Sequence, residues 1–153
     1  MKKTITIGAS VAFYSTVAKL RRQLIKEGFA VHVPDVALEM EQKDNFDEIA
    51  QRERYATLTD EEKKHLVIHL FEKIKESDAL LVVNEQKHGI DGYIGPNVLM
   101  EMTVALYLKK PIFLLNNLSE DLASFGEIMA IQPIVLNGNI RRITEYFKQK
   151  EYV

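Results

Sequence analysis

The sequence contains no cysteine. Disulfides, cysteine-based zinc sites and thiol nucleophiles are therefore excluded, and the absence fits a cytoplasmic protein. Tryptophan is missing too, and only seven glycines and four prolines occur among 153 residues. No segment is repetitive or of low complexity. Neither sign of charge dominates: 20 Lys and Arg face 22 Asp and Glu, for a net charge of -2. Without a basic footprint, nucleic acid is not an expected partner. No apolar run is long enough for a membrane span or a secretory leader, because the one after Lys2 and Lys3 breaks at Gly8, Ser10 and Ser15. Phosphate-loop signatures are absent as well. The next glycine after Gly8 is Gly28, so there is no dinucleotide fingerprint, and no Gly-Lys-Ser/Thr occurs.

What remains is an ordinary globular composition, 46% hydrophobic and 27% charged. The length suits one domain over 1–153 with a sizeable core. Lys3 to Ile7 alternates and is β-branched, which predicts a first strand, with Gly8-Ala9-Ser10 as a turn. A helix follows from about Phe13 to Lys26, with Val17, Leu20, Leu24 and Ile25 inward and Gly28 as its cap. Phe29 to Val33 reads as a second strand, stopped by Pro34-Asp35. Val36 to Thr57 lacks a clean period and reads as a long connection with helix around Phe46 to Tyr55, the kind of segment that forms lids or partner surfaces. Thr59 and Glu62 form a capping box for a helix to about Lys75. Ala79 to Val83 is a continuous apolar strand of the kind buried on both faces. Further alternation gives a helix from Pro96, a strand at Ile112–Leu115, a helix over Ser119–Met129, a strand at Ile134–Leu136 and a last helix over Ile140–Lys148. This alternation predicts a doubly wound α/β domain with a five-stranded parallel sheet, order 2-1-3-4-5.

In such sheets ligands bind outside the carboxyl ends of the strands. The loops expected there are Gly8–Ser10, Pro34-Asp35, Asn84–Asn97 and Asn116-Asn117. Glu101 is the one charged residue between Gly92 and Leu108, and it lies beside Val98, Met102 and Ala105 on the inward stripe of its helix. Two readings of it are open. It is a buried Glu satisfied by a backbone N–H or a Lys, or it is a reactive carboxylate aimed back at the crevice. A helix N-terminus would favour its ionised form, suited to attack on an anomeric carbon. His65 and His69 stand one helical turn apart with no third ligand in evidence, so no metal is expected. His32 and His88 read as structural or solvated.

The segments Ser77–Asn84, Gly95–Ala105 and Lys110–Leu115, together with Ile5–Ser10, resemble the core of the nucleoside 2-deoxyribosyltransferase-like family, in a less characterised branch. The resemblance implies a flavodoxin-like three-layer sandwich and a Glu nucleophile, matched here by Glu101, acting at C1′ of a nucleoside or nucleotide. It implies a transferase or hydrolase without cofactor, and a homo-oligomer built on a dimer, with Val36–Tyr55 or the Asn116 loop near the interface. Transferases of the family carry an Asp six residues before the nucleophile; Gly95 holds that position here, and the nearest acid is Asp91. On this reading Asn97 and Gly95 position sugar or phosphate, Gly8, Ser10 and Asn84 line the pocket, and Asp35, Asp91 and Tyr93 contact or protonate the base. The alternative is a non-catalytic nucleotide-binding module in which Glu101 holds a ribose hydroxyl. A flavin-binding flavodoxin is disfavoured by the absence of Trp and of a Ser/Thr-rich first loop.

Overall fold

The run Ala79–Val83 has five apolar residues in a row, each fully or almost fully buried. A strand with no polar face must be covered on both sides, and here it occupies the centre of the sheet. The computed structural model describes residues 1–153. In chain order it has β1 (Thr4–Ala9), a 3-10 turn (Val11–Phe13), α1 (Tyr14–Lys26), β2 (Ala30–His32), α2 (Asp35–Gln42), α3 (Glu48–Ala56) and α4 (Asp60–Glu76). Then come β3 (Ala79–Val83), α5 (Pro96–Tyr107), β4 (Ile112–Leu114), α6 (Phe125–Ile131), β5 (Ile134–Val135) and α7 (Arg141–Glu151). All strand pairs are parallel, in the order β2-β1-β3-β4-β5 that the alternation predicts.

Side-chain alternation along the strands divides the interior into two layers. Ala79, Leu81 and Val83 pack with α1, α2 and α7 residues such as Val17, Leu24, Met40 and Ile143. Leu80 and Val82 pack on the other face with Ile74 of α4, Val98, Met102 and Ala105 of α5, and Ile128 of α6. This is the three-layer, flavodoxin-like or Rossmann-like sandwich. The capping box of α4 forms as expected: Thr59 Oγ1 accepts from the Glu62 N–H at 3.1 Å, and Glu62 Oε2 accepts from the Thr59 N–H at 2.7 Å. No helix is long and apolar enough to cross a membrane.

Several boundaries differ from the expectation. Gly8 and Ala9 are not a turn; they extend β1 and pair with Val82 and Val83. Ile25 is 42% exposed, because it falls one position off the Val17–Leu20–Leu24 stripe. The segment after Pro34 is already helical, since α2 starts at Asp35; its inward stripe is only Ala37 and Met40, too short to read as a period. Ser119 to Ser124 forms turns, with Ser119 Oγ accepting from the Asp121 N–H, so α6 starts only at Phe125.

Candidate active site

β1 turns Thr6 and Gly8 toward the α4–α5 side of the sheet. Thr6 is buried there, with its hydroxyl hydrogen-bonded to the Ser77 hydroxyl and donating to the Lys73 carbonyl at 3.2 Å. One step further along the strand, Gly8 faces Glu101. A Cβ on Gly8 would lie 2.2 Å from Glu101 Oε2, so the carboxyl rests against the bare Cα of this strand. Gly8 was expected to let a ligand approach the backbone; the structure gives that space to Glu101 instead.

Glu101 is 6% exposed, and its Oε2 is buried without a hydrogen-bond partner. The satisfied-Glu reading, with a backbone N–H or Lys as partner, is therefore not what forms. Neither is the expected stabilised anion. Glu101 is the sixth residue of α5, counted from Pro96, beyond the first turn where the helix dipole acts. Burial dominates and pushes its carboxyl up to about 8. Tyr14, buried beside it at the start of α1, is held a neutral phenol by its own burial and by the Glu101 charge. Tyr14 was not among the expected site residues; its only local signal is its place at a helix start after the Ser10 loop.

Glu101 opens on a cavity of about 640 Å³, within the range of small-molecule sites and ample for a nucleotide. Ser10, Asp35, Tyr93, Gly95, Asn97 and Glu101 all line it, so six residues expected from distant parts of the sequence converge there. Asp35 receives a hydrogen bond from Lys73 Nζ at 2.7 Å and pairs with His69 Nε2 at 3.1 Å. The Lys73 hydrogen bond, with His69 helping, holds the Asp35 carboxyl below its ordinary range. Asp35 is thus an acceptor at neutral pH and not a proton donor.

Besides Gly8, which lies behind Glu101, two expected residues are not brought to the cavity. Asn84 is fully buried and its side chain is consumed in a clamp: Nδ2 donates to the Asn116 carbonyl at 2.8 Å, and Oδ1 accepts from the Asn116 N–H at 2.9 Å. Asn116 Nδ2 completes the clamp by donating to the Asn84 carbonyl at 3.0 Å. The loops leaving β3 and β4 need partners for their backbone groups where the ladder ends, and this pair of amides supplies them. Asp91 is exposed at the outer end of its loop, where its carbonyl accepts from the Ser119 N–H. The loop is bent there by Gly92. Its φ is +66°, and a Cβ on it would meet Asn117 O at 2.1 Å, so the position excludes any side chain.

Lys87 is a cavity residue that the local pattern does not announce. The loop after β3 contains a two-residue hairpin: Lys87 and Ile90 exchange backbone hydrogen bonds at 3.1 and 2.9 Å around His88 and Gly89, both at positive φ. That turn type matches the strand twist, and His-Gly between Lys87 and Ile90 is its signal. It projects Lys87 into the cavity wall, 14% exposed, where Nζ donates to Ser10 Oγ at 2.7 Å and lies 5.6 Å from the Tyr93 ring centroid.

A doubly wound sheet with one buried, unpartnered carboxyl at its carboxyl-end crevice is the class of molecule these features define. Its fold is similar to that of a 2-deoxyribosyltransferase from the psychrotolerant bacterium Bacillus psychrosaccharolyticus, with a TM-score of 0.50 at 16% identity over 86% of this chain and 82% of that chain. No protein-family model and no curated protein matches the sequence.

Proposed function

We propose that this protein cleaves the N-glycosidic bond of a nucleoside or nucleotide, as a 2-deoxyribosyltransferase or a hydrolase, with Glu101 as nucleophile. The observation that carries this reading is the Glu101 carboxyl itself, buried, without a protein partner, and on the wall of a nucleotide-sized cavity. One carboxylate oxygen attacks C1′. The bond to the base nitrogen breaks, its electron pair leaves with the base, and that nitrogen takes up a proton. Water or a second base then attacks C1′ and frees the carboxylate. Gly95 and Asn97 at the start of α5 flank the sugar, while Tyr93 and Asp35 contact the base, Asp35 by accepting. The direct test is to incubate the protein with nucleosides and nucleotides and measure free base.

The pH profile is a second test. Only the carboxylate attacks, and with its carboxyl at about 8, roughly one Glu101 in ten is ionised at pH 7. The kcat/KM for base release should therefore rise about tenfold per unit from pH 6 to 7 and level off above about 8. A profile flat over this range would remove Glu101 as the titrating nucleophile.

The same protonation favours a second reading. A neutral Glu101 can donate to a ribose hydroxyl, as a non-catalytic nucleotide-binding module would need. That reading expects tight binding and no free base at any pH.

Assembly belongs to the proposal. Ile49 is 71% exposed and Tyr55 41% exposed on α3, within the segment expected near an interface. Light scattering at tens of micromolar, an order-of-magnitude choice for interfaces of ordinary affinity, should give the mass of a dimer or a multiple of it. A monomer there would refute this part.

A further inference from the structure

The wall of the cavity around Lys87 carries a second chemistry. Lys87 Nζ and Arg52 Nη2 converge on one oxygen, Glu48 Oε1, at 3.5 and 2.5 Å. Ser10 Oγ lies 2.7 Å from the same Lys87 nitrogen. Lys87, Arg52 and Ser10 line the cavity that holds Glu101. They come from the β3–α5 loop, α3 and the end of β1, so only the fold assembles them. Two cations on a single anionic oxygen, with a hydroxyl beside one of them, form a site for a group with several charged oxygens. The carboxylate now between them sits on the first residue of α3 and is about one-third exposed, so its side chain can turn into solvent without moving the helix that carries Arg52.

We infer that Lys87, Arg52 and Ser10 form a subsite for a phosphate monoester, that Glu48 occupies it as an internal competitor, and that the preferred ligand is therefore a nucleoside 5′-monophosphate and not the free nucleoside. This deepens the N-glycosidic reading and rests on its cavity. With C1′ against Glu101, the 5′ end of the sugar reaches another part of the same wall. The dianion accepts from Lys87 and Arg52, the Ser10 hydroxyl donates to a third oxygen, and the Glu48 side chain rotates out to solvent while α3 keeps Arg52 in place.

The test compares a 2′-deoxynucleoside with its 5′-monophosphate, with inorganic phosphate as a third probe. Wild type should favour the monophosphate in kcat/KM by about a hundredfold, from two charge-assisted contacts worth roughly tenfold each. Lys87→Met should lower that preference about tenfold, and Lys87→Arg should restore part of it. Glu48→Gln should tighten monophosphate binding several-fold, since it removes a competing charge from an exposed helix. Inorganic phosphate should inhibit competitively, more weakly in Lys87→Met. Equal or better use of the free nucleoside by wild type, or equal losses on both substrates in Lys87→Met, would overturn the subsite. If neither substrate releases base, the glycosidic reading fails, and the same ratios taken from calorimetric Kd values still decide the subsite. If Lys87→Met does not fold, the Glu48→Gln result and the wild-type preference decide it.

Discussion

Glu101→Gln should release base roughly a thousandfold to a millionfold more slowly than wild type, the range seen when a nucleophile is removed. The substitution keeps the shape of a side chain that shares the buried stripe of α5 with Val98, Met102 and Ala105, and loses only the anion. Ligand affinity should therefore stay within a few-fold. A slow 2-fluoro sugar substrate should leave a covalent mass on Glu101 of wild type and none on the variant. Stability should move the opposite way to activity. The folded carboxyl titrates at about 8, and the unfolded one near 4.3. Between these values the folded state holds a proton that the unfolded state has lost, so wild-type stability falls as pH rises through that window. Gln has no such loss. The variant's stability advantage in urea unfolding should be near zero at pH 4 and grow to roughly 3–5 kcal/mol by pH 8 to 9. A wild type that binds nucleotide tightly yet frees no base from any substrate, with Glu101→Gln weakening that binding, would decide for the binding module.

Gly8→Ala separates the site from the fold. The added Cβ would stand 2.2 Å from Glu101 Oε2, while its nearest neighbour outside Glu101, Leu80 Cδ1, is at an ordinary 3.6 Å. Gly8 is regular strand, paired with Val82, and its φ is not positive, so Ala strains no backbone. What must give is the free end of the Glu101 side chain. Thermal stability should change by about 1 kcal/mol or less, while kcat/KM for base release should fall about a hundredfold, the scale of an ångström-sized misplacement of a reacting group. Unchanged activity in Gly8→Ala would mean that the carboxyl does not react from its place against β1. Unfolding of the variant would mean that the strand itself cannot take a side chain at this position.

Much of this molecule is written locally. The alternation of strand and helix periods, the apolar Ala79–Val83 run and the Thr59–Glu62 capping box are short-range patterns, and together they determine a parallel sheet with the observed strand order. The place of Glu101 on the inward face of α5 follows from helical spacing alone. What α5 faces does not. Gly8 reads as a turn in the sequence because its partner lies 93 positions away (101 − 8), and only strand register brings the two into contact. Asn84 reads as a pocket residue because its pairing with Asn116 is equally non-local. The protonation of Glu101 depends on desolvation, which is set by atoms of β1, α1 and α5 together, and in the folded chain this outweighs the helix dipole that the sequence makes visible. The junction of Ser10, Arg52 and Lys87 has the same origin. Periodicity determines which face of each element turns inward; only the packing of those faces decides which side chains meet and in what charge state.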